Sequence, residues 1–260
     1  MTNREIKRLA GKTAIKRGLS ASLIPVAAIP AALFFMLLPG LLPAAAELLG
    51  LKPLIQEVQK YLYPGLITAV MALISLHAFF TYSSASIGEK AFFLGIMNGR
   101  SNCAARFFFW FKLREAVRAA RLTLLTACLK LLYLAVFLLP AAAVFSAVFI
   151  LAQSGGIEVY LFAALTAGGV LLTLNGLVFW FIGIQKFFLA PYLTAEEPGL
   201  PAVTAVKRSK NLLEGHVGRL IGFKLSFIPW FLLCLLALPA FFVYPYYKQS
   251  CCVIAKELRL

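Results

Sequence analysis

The sequence predicts an all-α protein, a polytopic transmembrane helical bundle of five or six spans with basic amphipathic helices at the membrane interface. Hydrophobic residues make up 62% of the 260 residues and the mean hydropathy is +0.88, whereas soluble domains are roughly 45–50% apolar. The 25 Lys and Arg residues exceed the 10 acidic residues, which gives a formal charge of +15. The basic residues fall in blocks between apolar runs, as in loops that face an anionic leaflet. We therefore expect a single integral membrane domain over residues 1–260.

The first twenty residues are basic and lead into a long apolar run. Ile6 and Leu9 have helical spacing there, and Glu5 is the single acidic residue. A secretory signal peptide has a similar order, but its apolar core is only ~7–15 residues long. The run here is longer, so we predict an uncleaved first span at about residues 21–43.

The second predicted span, residues 63–85, contains His77. An ionisable side chain inside a membrane segment either serves a ligand or proton path or forms a hydrogen bond to a neighbouring helix. A basic block follows at residues 86–121. An apolar stripe with helical spacing runs through it beside three arginines, Arg114, Arg118 and Arg121; the stripe consists of Trp110, Leu113, Val117 and Leu124. This pattern predicts a basic amphipathic helix in the headgroup zone.

The third and fourth predicted spans cover residues 122–152 and 159–185. Lys130 lies near the start of the third, where a long side chain can extend to the interface. Three glycines recur every seven residues in the fourth span: Gly169, Gly176 and Gly183. Small residues on one face let helix backbones approach in lipid, so we predict a close helix contact there. Asn175 lies beside this face and suits an interhelical hydrogen bond or, as an alternative, a substrate contact.

A short amphipathic helix is predicted between the fourth and fifth spans. Its apolar stripe consists of Val203, Val206 and Leu213 with Ala202 and Ala205. Lys207, Arg208 and Lys210 lie on or beside the other face, and Gly215 suits a C-terminal stop. This helix is either interfacial, with its charges outward, or a solvated loop helix.

The chain then continues into a fifth predicted span at about residues 217–237, and residues 240–258 are the candidate sixth. Lys248 in the middle of the sixth segment argues against a span, whereas the basic end at Lys256 and Arg259 argues for one. Five and six spans are therefore both open. Most Lys and Arg residues lie in residues 1–20, 86–121 and 186–224. The positive-inside rule then places the N-terminus, and with six spans the C-terminus, in the cytoplasm.

The C-terminal third has a small-residue helix, then a Ser-Phe-Ile segment, then a Pro-Tyr dipeptide. The residues of this pattern are Ser209, Lys210, Leu213, Gly215, His216, Leu225, Ser226, Phe227, Ile228, Trp230, Pro245 and Tyr246. The pattern resembles that of a family of bacterial integral membrane proteins called domain of unknown function 975. The chain departs from the pattern at Pro229, where the family has Gly. The resemblance implies a bacterial inner-membrane helical protein and no activity.

The residues favour a non-enzymatic scaffold, accessory or regulatory component in the cell membrane. No HExxH, GxSxG or Walker motif and no aspartate occur, so we predict no enzyme activity, no metal and no cofactor. The expected partners are anionic lipid headgroups or a membrane protein, and no nucleic acid. The candidate binding surface is Arg114, Arg118, Arg121, Lys207, Arg208 and Lys210. The alternative is a transporter or channel for a small or amphipathic solute, with a polar cluster of His77, Asn175, Ser226 and Tyr246.

Overall fold

Helices joined by short turns make up nearly all of the described chain. The computed structural model describes residues 2–16, 48, 50, 64–99, 102–153, 158–233 and 240–259. No strand occurs within these ranges, so the all-α class is confirmed for the part of the chain that is described. The first predicted span, residues 21–43, lies outside these ranges.

The chain begins with the amphipathic helix α1, Asn3–Lys16. The Thr2 N–H donates to the Glu5 carboxylate at 2.7 Å, and the Glu5 N–H donates to the Thr2 hydroxyl at 3.3 Å. This reciprocal pair is a capping box, which satisfies amide groups that the first turn leaves without partners. The hydrogen bonds from Thr2 also hold the pKa of Glu5 below its usual value.

Three long helices dominate the chain: α2 (Pro64–Met97), α4 (Leu113–Gln153) and α5 (Val159–Ile184). The short helix α3 (Cys103–Phe109) joins the first two. Among the described residues, three segments are long and apolar enough to cross a membrane, namely Thr68–Met97, Leu113–Gln153 and Val159–Glu196. Each overlaps a predicted span, but α2 extends well beyond residue 85 and α4 begins well before residue 122.

The helices α4 and α5 pack against each other as a long antiparallel hairpin. Their outer side chains are apolar and exposed, as shown by Leu131 at 64%, Leu139 at 66% and Leu171 at 61%. An exposed apolar surface of this extent is typical of a lipid-facing helix, because the surrounding hydrocarbon replaces protein contacts.

The remaining elements form a second region, which we call the helical body. It consists of α1, residues 83–97 of α2, α3, the first turns of α4, and the C-terminal elements 3₁₀ helix η1 (Gln185–Phe187), α6 (Ala190–Glu196), α7 (Ala202–Leu213), α8 (Val217–Leu225), α9 (Ile228–Leu233) and α10 (Ala240–Glu257). Its core is continuous. The largest fully buried side chains are aromatic, and they are Trp110, Phe92, Phe107, Phe223 and Phe227.

The last two predicted spans have a different form in the structure. Residues 217–233 form two short helices, α8 and α9, with a turn at Ser226 and Phe227, and residues 234–239 lie outside the described ranges. Helix α10 spans residues 240–257 and packs against α1 and α2. Only three of the described helical segments meet the length and hydropathy of a membrane span, so the number five or six stays a prediction.

Candidate functional site

The six predicted cations of the binding surface lie at the start of α4 and along α7, and we call them the basic surface. Helices α4 and α7 contact each other. The Arg118 guanidinium links them, because it donates to the carbonyl of Pro198, just before α7, at 3.0 Å. The two halves of the basic surface are therefore neighbours.

Two cations of the basic surface are paired with carboxylates. Arg118 forms an ion pair with Glu115 at 2.9 Å, and Arg208 pairs with Glu197 at 3.1 Å. The other four cations project outward as exposed side chains; these are Arg114, Arg121, Lys207 and Lys210. The exposed four are the part of the surface that can bind an anion without breaking an internal ion pair.

The apolar face of α7 is shifted relative to the predicted stripe. Val203 is 55% exposed, whereas Ser209 is fully buried. The Ser209 hydroxyl donates to the Lys186 carbonyl at 2.8 Å and accepts from the Leu189 N–H at 3.1 Å. A small polar side chain can be buried when its hydrogen bonds are satisfied. Beyond the helix, Gly215 adopts φ +80°, a left-handed conformation that favours glycine.

The predicted apolar stripe over residues 110–124 does not lie on one helix, because α3 ends at Phe109 and α4 begins at Leu113. Trp110 is buried in the turn between them, whereas Leu113 and Leu124 are 81% and 56% exposed. Alanines form the buried face at the start of α4 instead. They are Ala116, Ala119 and Ala120.

The three heptad glycines of α5 are buried and face α4. A Cβ at Gly176 would lie 2.5 Å from the carbonyl oxygen of Phe137, and a Cβ at Gly183 would lie 2.7 Å from the Tyr133 ring. At Gly169 the Phe145 ring would be 3.0 Å away. The Trp180 indole N–H also donates across the hairpin, to the Lys130 carbonyl at 3.0 Å. These contacts define a seam along which the two helices approach closely.

The four residues of the predicted polar cluster lie in different surroundings. His77 lines a surface cavity with Phe80 and Phe111. Asn175 is exposed, and its side-chain amide donates to the Leu171 carbonyl of its own helix at 3.0 Å. Ser226 and Tyr246 both lie near the Phe227 ring. The Lys7 ammonium, which lies over that ring, donates to the Ser226 carbonyl at 2.9 Å. The ring centroids of Tyr246 and Phe227 are 5.8 Å apart. The structure therefore places Ser226 and Tyr246 near the same aromatic ring.

Sequence reasoning missed a cavity of about 310 Å³ at the junction of the hairpin and the helical body. Its lining comes from α2, α4, η1, α6, α8 and α10. Four lysines line it, and we call it the lysine cavity; they are Lys90, Lys130, Lys224 and Lys248.

Three of the four lysines that line the lysine cavity have defined partners. The Lys90 ammonium donates to the carbonyl and hydroxyl of Ser86 at 2.8 and 3.1 Å. The Lys248 ammonium pairs with the buried Glu89 carboxylate at 2.8 Å. The Lys224 ammonium donates to the side-chain carbonyl of Gln185 and lies 4.7 Å from the centroid of the Phe188 ring.

Three lysines of this cavity stand out in the sequence. Lys130, Lys224 and Lys248 each interrupt an apolar run, and a charged residue within a membrane segment is a candidate functional residue. Considered separately, each had a local explanation, such as extension to the interface. Their convergence depends on how α8 and α10 fold back on α2 and α4, which periodicity does not reveal.

Within the described residues, no group of three or more His, Cys, Asp or Glu side chains could hold a metal ion. Four described cysteines are free thiols: Cys103, Cys128, Cys251 and Cys252. Cys251 and Cys252 are buried in α10 and pack with the apolar core.

Comparisons with known proteins support the resemblance found in the C-terminal third and extend it. Neither the curated proteins nor the solved structures gave a significant match. A family model described as "Protein of unknown function (DUF975)" matches residues 2–258. The match covers nearly the whole chain, including the lysine cavity and the basic surface. The chain therefore belongs to the DUF975 family.

Proposed function

We propose that this chain is a non-enzymatic membrane component, a scaffold, accessory or regulatory protein that positions its helical body against an anionic leaflet of the cell membrane. The observation that supports this role is the distribution of charged and apolar exposed side chains along α4. Arg114 and Arg121 are exposed near its start, and beyond Lys130 most of the exposed side chains are apolar, such as Leu131 and Leu139. When the apolar part lies in hydrocarbon, the arginines are level with lipid headgroups.

The orientation that fits this role places both ends of the chain on the cytoplasmic side of a bacterial inner membrane. Helix α1 packs against α10, so the two ends of the described chain belong to one body. The basic blocks of the sequence also lie in or beside that body, and an excess of Lys and Arg favours the cytoplasmic side.

The partner chemistry that suits the basic surface is an anionic lipid headgroup. Each Lys or Arg near an anionic surface contributes about 1 kcal/mol. Four exposed cations therefore provide a useful attraction even though Arg118 and Arg208 are paired internally. An acidic segment of a membrane protein is the second kind of partner that this surface would accept.

A charge-neutralised variant tests the proposal. We expect Arg114→Gln/Arg121→Gln/Lys207→Gln/Lys210→Gln to retain fewer phosphatidylglycerol and cardiolipin molecules than the native chain, because about 1 kcal/mol of attraction is lost per cation. The measurement is native mass spectrometry of the full-length protein extracted from membranes.

The matched control keeps the charge and changes only the side chain: Arg114→Lys/Arg121→Lys/Lys207→Arg/Lys210→Arg should retain lipid like the native chain. Cysteine labelling from outside the cell reports orientation in all variants. Unchanged lipid retention in the neutralised variant, combined with an inverted orientation, would mean that the four cations only direct membrane insertion, and the proposed role would be wrong.

Transport of a small or amphipathic solute is the second candidate function, and the lysine cavity is the observation that favours it. A polar cavity between membrane helices is where transporters bind their substrates. Uptake of a labelled anion into liposomes that contain the purified protein, compared with liposomes alone, separates transport from scaffolding.

A further inference from the structure

The lysine cavity places four lysine side chains around one space. It lies where α4 leaves the helical body, and it is bounded by α2, η1 and α10. Its volume, about 310 Å³, is at the lower end of the ~300–1,000 Å³ found for small-molecule sites. It therefore suits a headgroup-sized polar ligand better than an acyl chain.

The charges around the lysine cavity do not balance. Four ammonium groups line it, and none of the described residues that line it carries a carboxylate. Glu89, directly behind it, is paired with Lys248 at 2.8 Å and is 1% exposed. Three ammonium groups are thus left without a carboxylate partner in the described chain; Lys90 and Lys224 are half-buried, and Lys130 is exposed.

Neutral groups satisfy only part of the hydrogen-bonding capacity of these lysines. Each ammonium has three donors. Lys90 bonds to Ser86, and Lys224 bonds to Gln185. Lys130 has no hydrogen-bond partner for its ammonium within the described chain. Donors therefore remain at the cavity for an incoming group with several acceptor oxygens.

From this geometry we infer that the lysine cavity binds a phosphate-bearing anion. A phosphate has three or four acceptor oxygens and one to two negative charges, and lysine is a common point-charge ligand for it. Lys90, Lys130 and Lys224 line the same cavity and supply such donors, and a bound phosphate would offset part of their charge.

The position of the lysine cavity makes two sources of phosphate accessible. Lys130 is followed by the exposed apolar side chains of Leu131 and Leu132, at 64% and 58%, so a lipid headgroup can enter from the bilayer side. A water-soluble phosphate monoester carries the same group. The inference does not depend on the role of the basic surface, because the two sites are built from different side chains.

A larger cavity, about 730 Å³, lies beside α3 and α6, but Arg106 is its only charged lining residue within the described chain. It has no cluster of cations and carries no comparable argument for an anion.

The test measures ligand retention by the full-length protein in detergent, using native mass spectrometry. The lipid probe is phosphatidylglycerol, and diacylglycerol is its control, because it has the same chains without the phosphate. The soluble probes are inorganic phosphate and glycerol 3-phosphate, tested as competitors. We expect Lys130→Gln/Lys224→Gln to weaken binding of the effective probe about tenfold or more, because hydrogen bonds to charged groups are lost.

The comparison variant Lys207→Gln/Lys210→Gln removes the same charge from the basic surface. Combined with Lys130→Gln/Lys224→Gln, it should retain less probe than either variant alone, because the two sites bind independently. If the double cavity variant does not fold, Lys130→Gln alone serves, because the Lys130 ammonium has no hydrogen bond in the described structure to lose.

The outcomes separate the sources and the two proposals. Retention of phosphatidylglycerol over diacylglycerol without competition by soluble phosphates identifies a lipid headgroup. Competition by glycerol 3-phosphate or inorganic phosphate identifies a soluble ligand. If no phosphate probe binds, or if the cavity variants bind as well as the native chain, the inference is wrong. Loss only in the Lys207/Lys210 variant would support the basic surface and overturn the cavity.

Discussion

The α4–α5 hairpin and the helical body orient their large apolar side chains in opposite ways. In the hairpin, large side chains such as Leu139 and Leu171 point outward and glycines face the partner helix. In the body, Phe92 and Leu189 are at most 1% exposed and lie in a shared core. This is the difference expected between a membrane-spanning hairpin and a protein core, because lipid offers apolar side chains the same surroundings as a core.

Helix α2 contains both arrangements within one continuous element. Its first half exposes Val70 and Leu73 at 44% and 65%, and its second half buries Phe92 and Phe93 at 1% and 3%. The second half also carries Glu89 and is the less apolar half, so hydropathy alone would not predict that it is the buried one. The helix thereby connects the region of exposed apolar side chains to the body.

Polar contacts also differ between the two regions. The body buries polar and charged side chains, including Glu89, Ser209 and Ser250. In the hairpin, the described hydroxyl groups mostly bond within their own helix, as Thr173 does with the Gly169 carbonyl at 2.8 Å. We therefore expect the body to depend on specific polar pairs and the hairpin to depend on the shape of its seam.

The largest effect is expected from the buried ion pair of the body. Glu89→Gln should destabilise the protein by about 3–5 kcal/mol, because it leaves the Lys248 charge partly buried without its partner. Thermal unfolding of the purified protein in detergent, followed by circular dichroism, measures the loss.

The double variant Glu89→Leu/Lys248→Met is its control, because removing both charges is often nearly neutral. A double variant as unstable as Glu89→Gln would mean that the side chains matter through their shape, and the proposed dependence of the body on charge pairing would not hold.

The hairpin should show the next largest effect. Gly176→Leu should cost about 3 kcal/mol, the upper end for overpacking, because even a Cβ at this position would lie 2.5 Å from a backbone carbonyl. The measurement is the fraction of monodisperse protein in size-exclusion chromatography. Gly168→Leu is a matched control in the same helix, since a Cβ there meets no atom within 4 Å. Equal yields for both variants would show that the seam does not depend on close backbone approach.

The sequence was sufficient for the two helices of the hairpin. Long apolar runs predicted helices at residues 122–152 and 159–185, and the structure has α4 over Leu113–Gln153 and α5 over Val159–Ile184. A helix that satisfies its backbone hydrogen bonds internally needs only length and hydropathy to be recognised as a candidate span. The C-terminal motif was likewise enough to identify the family.

The sequence was not sufficient for the body or for the lysine cavity. Residues 240–258 were a candidate span, but α10 does not reach the hydropathy of one and buries Cys252 and Ile254 in the core of the body. Hydropathy measures transfer out of water and does not distinguish a protein core from lipid. Lys248 argued against a sixth span when considered alone; its partner Glu89 is 159 residues away in the chain, a separation that local patterns do not cover.

The smallest of these effects is expected at Ser209, which attaches α7 to the start of α6. Ser209→Ala should cost about 1–2 kcal/mol, because the Leu189 N–H and the Lys186 carbonyl would lose a partner in a buried position. Thr204→Ala, at an exposed position of the same helix, should change stability by less than about 0.5 kcal/mol. Thermal unfolding in detergent compares the two.

Because α7 carries Lys207 and Lys210, a loosened α7 should also lower phosphatidylglycerol retention at the basic surface while leaving the lysine cavity occupied. If Ser209→Ala and Thr204→Ala behave alike, α7 is attached by its apolar face alone, and the body depends less on buried polar contacts than its difference from the hairpin indicates.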